Sequence, residues 1–191
     1  MKLKQVFIMA ALAAAVSCSS DDGSAPEKKQ VTFKEVEQQL EMKGSFSELS
    51  KRNILRHYGT ADNFLDLALK RKAELSAKNS TKSNKTAKMM AAYTITVYDP
   101  WYGSGSFSFW CWDDEYILDK YYDWNRKSLD CDGVGMSPAC VAKLWGGRVD
   151  QSEQSFLNDE EMQAGWVLPC RAYPQQDCTL NFRQEENFVP I

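Results

Sequence analysis

The chain predicts an α+β fold, a small mixed sheet with one packed helix, preceded by a short helical region. Three observations carry that expectation. Residues 93–98 alternate with period two, as do Phe107 to Cys111 after a turn from Asp99-Pro100 to Gly105, so the two stretches pair as a hairpin. Tyr116 to Trp124 follows with Ile117, Leu118 and Tyr121 on one side, the spacing of a helix that covers a sheet. Asp177 to Phe182 supplies a final strand after a short helix, so strands and helices are grouped rather than strictly alternating.

The hairpin's helix has Asp113-Asp114-Glu115 as its capping run. Cys140 to Trp145 and Val149 onward read as short extended pieces about Gly146-Gly147. Asn158-Asp159-Glu160-Glu161 opens a short helix that stops at Gly165, and Trp166-Val167-Leu168 reads as a buried extended segment.

Upstream the composition changes. Lys2 and Lys4 precede an apolar run from Phe7 to Val16, too short to span a bilayer and typical of an export signal. Ala15-Val16-Ser17-Cys18 resembles a lipobox, and Ser19-Ser20-Asp21-Asp22 resembles the acidic export tags of some surface lipoproteins. That resemblance implies a signal peptide over 1–17, lipidation at Cys18, a tether over 18–29 and a place in the cell envelope at the outer membrane. Residues 30–77 read as three short helices. Thr32 and Ser45 each stand three residues before a Glu, Asp62 is placed to cap the third helix, and Gly44 and Gly59 are breaks. The chain's one His, His57, falls here and reads as a surface or helix-end residue. Lys78 to Lys88 has no apolar residue but Ala87, so 78–90 reads as a linker before a domain over 91–191.

Charge excludes some functions. Residues 27–88 hold 14 Lys/Arg against 8 Asp/Glu, whereas residues 91–191 hold 7 against 16. The acidic half repels phosphates, so nucleic acid is not expected as its partner. Nucleophilic catalysis needs a base beside its nucleophile, and His57 lies in the other region, so the chain is not expected to be an enzyme. Cys131 to Cys140 is a loop of small residues with a cysteine at each end, and Cys170 and Cys178 follow. Such a loop wraps either a small cluster or a disulfide.

Three motifs extend this reading. Cys111-Trp112-Asp113-Asp114-Glu115-Tyr116-Ile117-Leu118-Asp119, Val149-Asp150-Gln151-Ser152 through Ser155-Phe156-Leu157, and Gly165-Trp166-Val167-Leu168-Pro169-Cys170-Arg171-Ala172-Tyr173-Pro174 occur in that order. Residues 93–188 thereby resemble plant-type [2Fe-2S] ferredoxins, which implies the β-grasp fold. Ligands in that family follow C-x4-C-x2-C and a distant Cys. The resemblance places Cys170 at the fourth ligand, Cys140 at the third, Ser137 at the second and Asp132 at the first, with Cys131 one residue early. It also places Phe156, Glu185 and Glu186 at positions that dock a reductase.

Serine in place of a soft thiolate, together with export into an oxidising compartment, favours a domain without a cluster. The resemblance then implies a disulfide between two of Cys131, Cys140 and Cys170. For the Cys140–Cys170 loop it is worth roughly 3 to 4 kcal/mol. In the family's sheet the strands holding Cys111 and Cys178 flank a central one, roughly 9 to 10 Å apart, so the resemblance implies two buried free thiols, with Cys178 pairing with a loop cysteine only if that end of the fold has shifted. The expected function is an exported, lipid-anchored binding or structural module whose dense aromatics, including Tyr98, Trp101, Trp110 and Trp112, are partly exposed. The alternative is a [2Fe-2S] electron carrier in which Ser137 replaces one cysteine and a reductase is the partner.

Overall fold

A computed structural model describes residues 30–82, 90–124 and 129–191. The export signal, Cys18, the tether and residues 83–89 of the expected linker lie outside the described residues. Among the described residues no helix is long and apolar enough to cross a membrane.

The helical region is α1 (Phe33–Leu40), α2 (Glu48–Tyr58) and α3 (Ala61–Lys82). Thr32 caps α1 in a full capping box with Glu35. Three local expectations are corrected. Ser47 caps α2, because its hydroxyl, not that of Ser45, accepts the Ser50 N–H. Thr60 accepts the Asn63 N–H at the start of α3, whereas Asp62 accepts the Val31 N–H. Finally, α3 runs on to Lys82, so the first residues of the expected linker are helical. His57 lies exposed in the last turn of α2, as its position implied.

The second region holds β1 (Ala92–Tyr98), β2 (Ser106–Trp112), α4 (Ile117–Asp123), β3 (Ala142–Gly146), β4 (Val149–Asp150), α5 (Asp159–Gln163), β5 (Trp166–Val167), β6 (Tyr173–Pro174) and β7 (Cys178–Asn181). The main sheet has the order β2-β1-β7-β3-β5, and β4 pairs with β6 separately. β1 and β2 form the expected antiparallel hairpin, and β7 enters parallel to β1 at the centre. This is the mixed sheet and packed helix of a β-grasp fold. One local expectation fails here too. Tyr116, with no side-chain cap, precedes α4, while Glu115 turns back to accept the Trp112 N–H.

Alternation along β1 and β2 sends Ile95, Val97, Phe109 and Cys111 to the core face, where Ile117, Leu118 and Tyr121 of α4 meet them. Asp99, at the end of β1, is 2% exposed and is held by the Tyr121 hydroxyl and the Arg183 guanidinium. A buried carboxylate so paired fixes the hairpin turn to α4 and to the segment after β7. Gly147 has φ +87°, and a Cβ there would lie 2.1 Å from the Asp177 carbonyl, so the turn after β3 passes tightly over the start of β7.

The helical region is not a detached module. Val36, Leu40, Phe46, Ile54 and Phe64 share one apolar cluster with Val134 and Met136 of the cysteine loop. The Tyr58 hydroxyl donates to the Met136 carbonyl at 2.9 Å, and Arg71 donates to the Glu153 carbonyl.

Candidate metal centre

Residues 131–141 form a loop that leads into β3, and the turn after β5, Pro169–Arg171, carries Cys170 to it. The sulfurs of Cys131, Cys140 and Cys170 lie within 4.8 Å of one another. Cys140 and Cys170 are buried, and Cys131 is half-buried.

A disulfide between two of them was expected, and the structure corrects this. All five described cysteines are free thiols. Converging sulfurs that stay unbonded present several lone pairs to one point, as metal binding requires. Cys111 and Cys178 are buried free thiols, as expected, because β1 lies between their strands.

The loop is organised by Asp132, which is 4% exposed. Its Oδ1 accepts the N–H groups of Val134 and Gly135 at 2.8 and 3.0 Å, and its Oδ2 accepts that of Met136 at 3.2 Å. Asp132 stands where the resemblance placed the first ligand, but its carboxylate is spent on the loop's own backbone. Burial, then the charge of Cys170, pushes its carboxyl up to about 6 against the opposing hydrogen bonds of the loop. Gly135 has φ +72°, and a Cβ there would stand 2.7 Å from Cγ of Arg171 and 3.2 Å from Cα of Gln154. Only glycine lets the loop pass so close over Cys170's neighbour.

The thiols differ in acidity. Hydrogen bonds from Cys131 and then Cys140, with the charge of Arg171, hold Cys170 well below the ordinary thiol range. Cys131 is raised by its hydrogen bonds to Cys140 and Cys170 and by burial. Arg171 is itself held in place, donating to the Gly133 carbonyl and lying 4.5 Å over the Tyr116 ring. Tyr116 stacks on Tyr173, and both hydroxyls donate to Glu153.

Ser137 is 1% exposed, and its Oγ has no hydrogen-bond partner of ordinary geometry, although it lies near enough to Asp132 to favour that carboxylate. An orphaned buried hydroxyl is costly. It stands three residues before Cys140, where the resemblance placed the second ligand. The three converging thiols fit a metal or iron-sulfur group, and Ser137 adds an oxygen where the resemblance placed the second ligand and the common pattern has sulfur.

The expected docking residues are differently placed. Phe156 is buried, its ring 5.2 Å from His57 and 6.1 Å from Phe188. Glu185 accepts from Ser47 at 2.9 Å and from Ser50, both in or beside α2. Burial raises its carboxyl against those two hydrogen bonds. Of the three, only Glu186 stands exposed. Sequence reasoning missed Tyr58, Arg71 and Glu153, which bind the helical region to the loop's surroundings. Their signal is tertiary: an i to i+78 hydrogen bond leaves no local pattern.

Comparison with known proteins agrees with this geometry. The family described as 2Fe-2S iron-sulfur cluster binding domain matches residues 105–175. Vegetative ferredoxin of Trichormus variabilis is 47% identical over 55 residues, covering 29% of this chain and 56% of that protein. Chloroplastic ferredoxin-6 of Zea mays is 36% identical over 75 residues, covering 39% and 48%. The chain thus spans about half the length of the known relatives it matches. The crystal structure of pectocin M2 aligns with a TM-score of 0.47 at 28% identity, over 53% of this chain and 36% of that one. With motif, fold and converging thiols in agreement, the second region of this chain is a plant-type [2Fe-2S] ferredoxin domain.

Proposed function

We propose that this chain is a lipid-anchored, one-electron carrier of the cell envelope. Its cluster would be held by Cys131, Cys140, Cys170 and the Ser137 oxygen. The observation that carries the proposal is the convergence of three free thiols within 4.8 Å of one another. It is preferred to the expected disulfide-held module because the three sulfurs converge and all five described cysteines are free thiols. A bound cluster supplies one reversible electron; the chain supplies the cage. The Cys131 and Cys140 hydrogen bonds and the Arg171 charge favour the Cys170 thiolate. Asp132 holds the loop's backbone in its bend. Val134 and Met136, packed under the helices, keep water from one side of the loop. The protein passes electrons to a reductase-like partner rather than catalysing a reaction. Lipidation at Cys18 would keep it at the membrane.

The test is isolation of the full chain from its native envelope, with iron, sulfide and visible absorption measured, followed by reconstitution of the metal-free protein. Red-brown protein with equal iron and sulfide is expected. Cys170→Ala should abolish the colour, and Ser137→Cys should raise the cluster yield. A colourless protein that takes up neither iron nor sulfide would overturn the proposal.

A further inference from the structure

The face of the main sheet opposite α4 is uncovered among the described residues, and it is unlike the rest of the domain. Residues paired across the outward positions of β1, β2 and β7 bring Thr94 beside Trp110, and Thr96 between Ser108 and Thr179. The Thr96 and Ser108 hydroxyls lie 2.9 Å apart. One end of this hydroxyl floor is walled by Trp110, 75% exposed. The other end is walled by Trp145, 58% exposed, whose ring stands 5.1 Å from that of Tyr98. Trp110 and Trp145 lie on β2 and β3, three strand spacings apart, or about 14 Å.

We propose that this face binds a neutral oligosaccharide chain, a reading independent of whether the cysteine loop carries a cluster. Charge decides the class of partner. Residues 91–191 hold 16 Asp/Glu, yet no charged side chain stands among the outward residues of β1, β2 and β7. The two charges at the margins are already engaged. Asp177 accepts the Thr94 N–H at 2.7 Å, and Lys143 donates to the Ala164 carbonyl while lying 4.2 Å from the Trp166 ring. A basic partner finds no carboxylate on this floor, and the acidic domain around it repels an anionic one. A purely apolar partner would bury the hydroxyls unpaired, which costs free energy. A sugar chain meets all three conditions. It is uncharged, its ring faces are apolar and stack on indoles, and its hydroxyls bond with Thr and Ser. The span between the two aromatic walls admits several rings in a row.

The test uses the full chain with cellohexaose, maltohexaose and N-acetylchitohexaose, followed by tryptophan fluorescence and calorimetry. Saturable binding of at least one is expected. Trp110→Ala and Trp145→Ala should each weaken it tenfold or more, while Lys51→Ala, on α2, leaves it unchanged. Both indoles are exposed, so circular dichroism should show the variants folded. Failure of all three hexasaccharides to bind at millimolar concentration would overturn the proposal, as would binding indifferent to both substitutions. Sedimentation that shows a dimer abolished by Trp110→Ala would also overturn it, because a second copy would then own the face.

Discussion

Asp132 shows how a single residue can be read from its environment. Its carboxylate accepts three loop N–H groups, yet burial raises its pKa from 3.8 to about 6. A raised folded-state value means the native protein holds the proton more tightly. The stability it contributes is therefore full below pH 4 and lost as pH rises through about 6. A shift of that size corresponds to about 3 kcal/mol. In urea titrations of the metal-free chain from pH 4 to 7, the stability of wild type relative to Asp132→Asn should fall by that order, and a flat difference would refute the assignment. Gly135→Ala, which puts a Cβ 2.7 Å from Arg171 in a left-handed conformation, should cost roughly 1 to 3 kcal/mol. Thermal melting would show it.

Between elements, the decisive contacts join the helices to the cysteine loop. Tyr58 closes α2 and donates to the Met136 carbonyl, which has no route to a backbone partner in a strand. Tyr58→Phe removes that donor and leaves a buried carbonyl unpaired, at a cost of about 1 to 3 kcal/mol. The same variant should speed the reaction of Cys131, the half-buried thiol, with a maleimide. Unchanged kinetics would show that the contact does not govern access. The caps tell a related story at this scale. Thr32 and Asn158 were legible because a capping box is local, with both partners within three residues. Ser45, Asp62 and the Asp113-Asp114-Glu115 run had the right residue types, but Ser47, Thr60 and Tyr116 took the cap positions. Several residues there can cap, and packing selects among them.

Across the whole molecule, the two apolar clusters make one body of what composition suggests are two modules. Phe64 is fully buried in the cluster that also holds Val134 and Met136. Phe64→Ala should cost about 3 to 5 kcal/mol. Hydrogen exchange should quicken in the loop amides as well as in α1 to α3. If the loop stays protected while the helices open, the regions fold separately. The same packing explains why Phe156 and Glu185 do not form an open docking patch: α2 supplies His57, Ser50 and its cap Ser47 to cover them.

Strand alternation, helix periodicity and the three motifs are local or ordered along the chain, so the sequence by itself determined the β-grasp domain, its hairpin and its final strand. It also determined that Cys111 and Cys178 stand apart, because sheet order follows from the fold. Whether Cys131, Cys140 and Cys170 close a disulfide or face a common point depends on how a loop bends, and that bend is set by Asp132, Gly135 and the helices above. Cys170 follows Cys140 by 30 residues, and Tyr58 precedes Met136 by 78. Only tertiary packing brings them together, because burial and hydrogen bonding over such separations leave no period in the sequence.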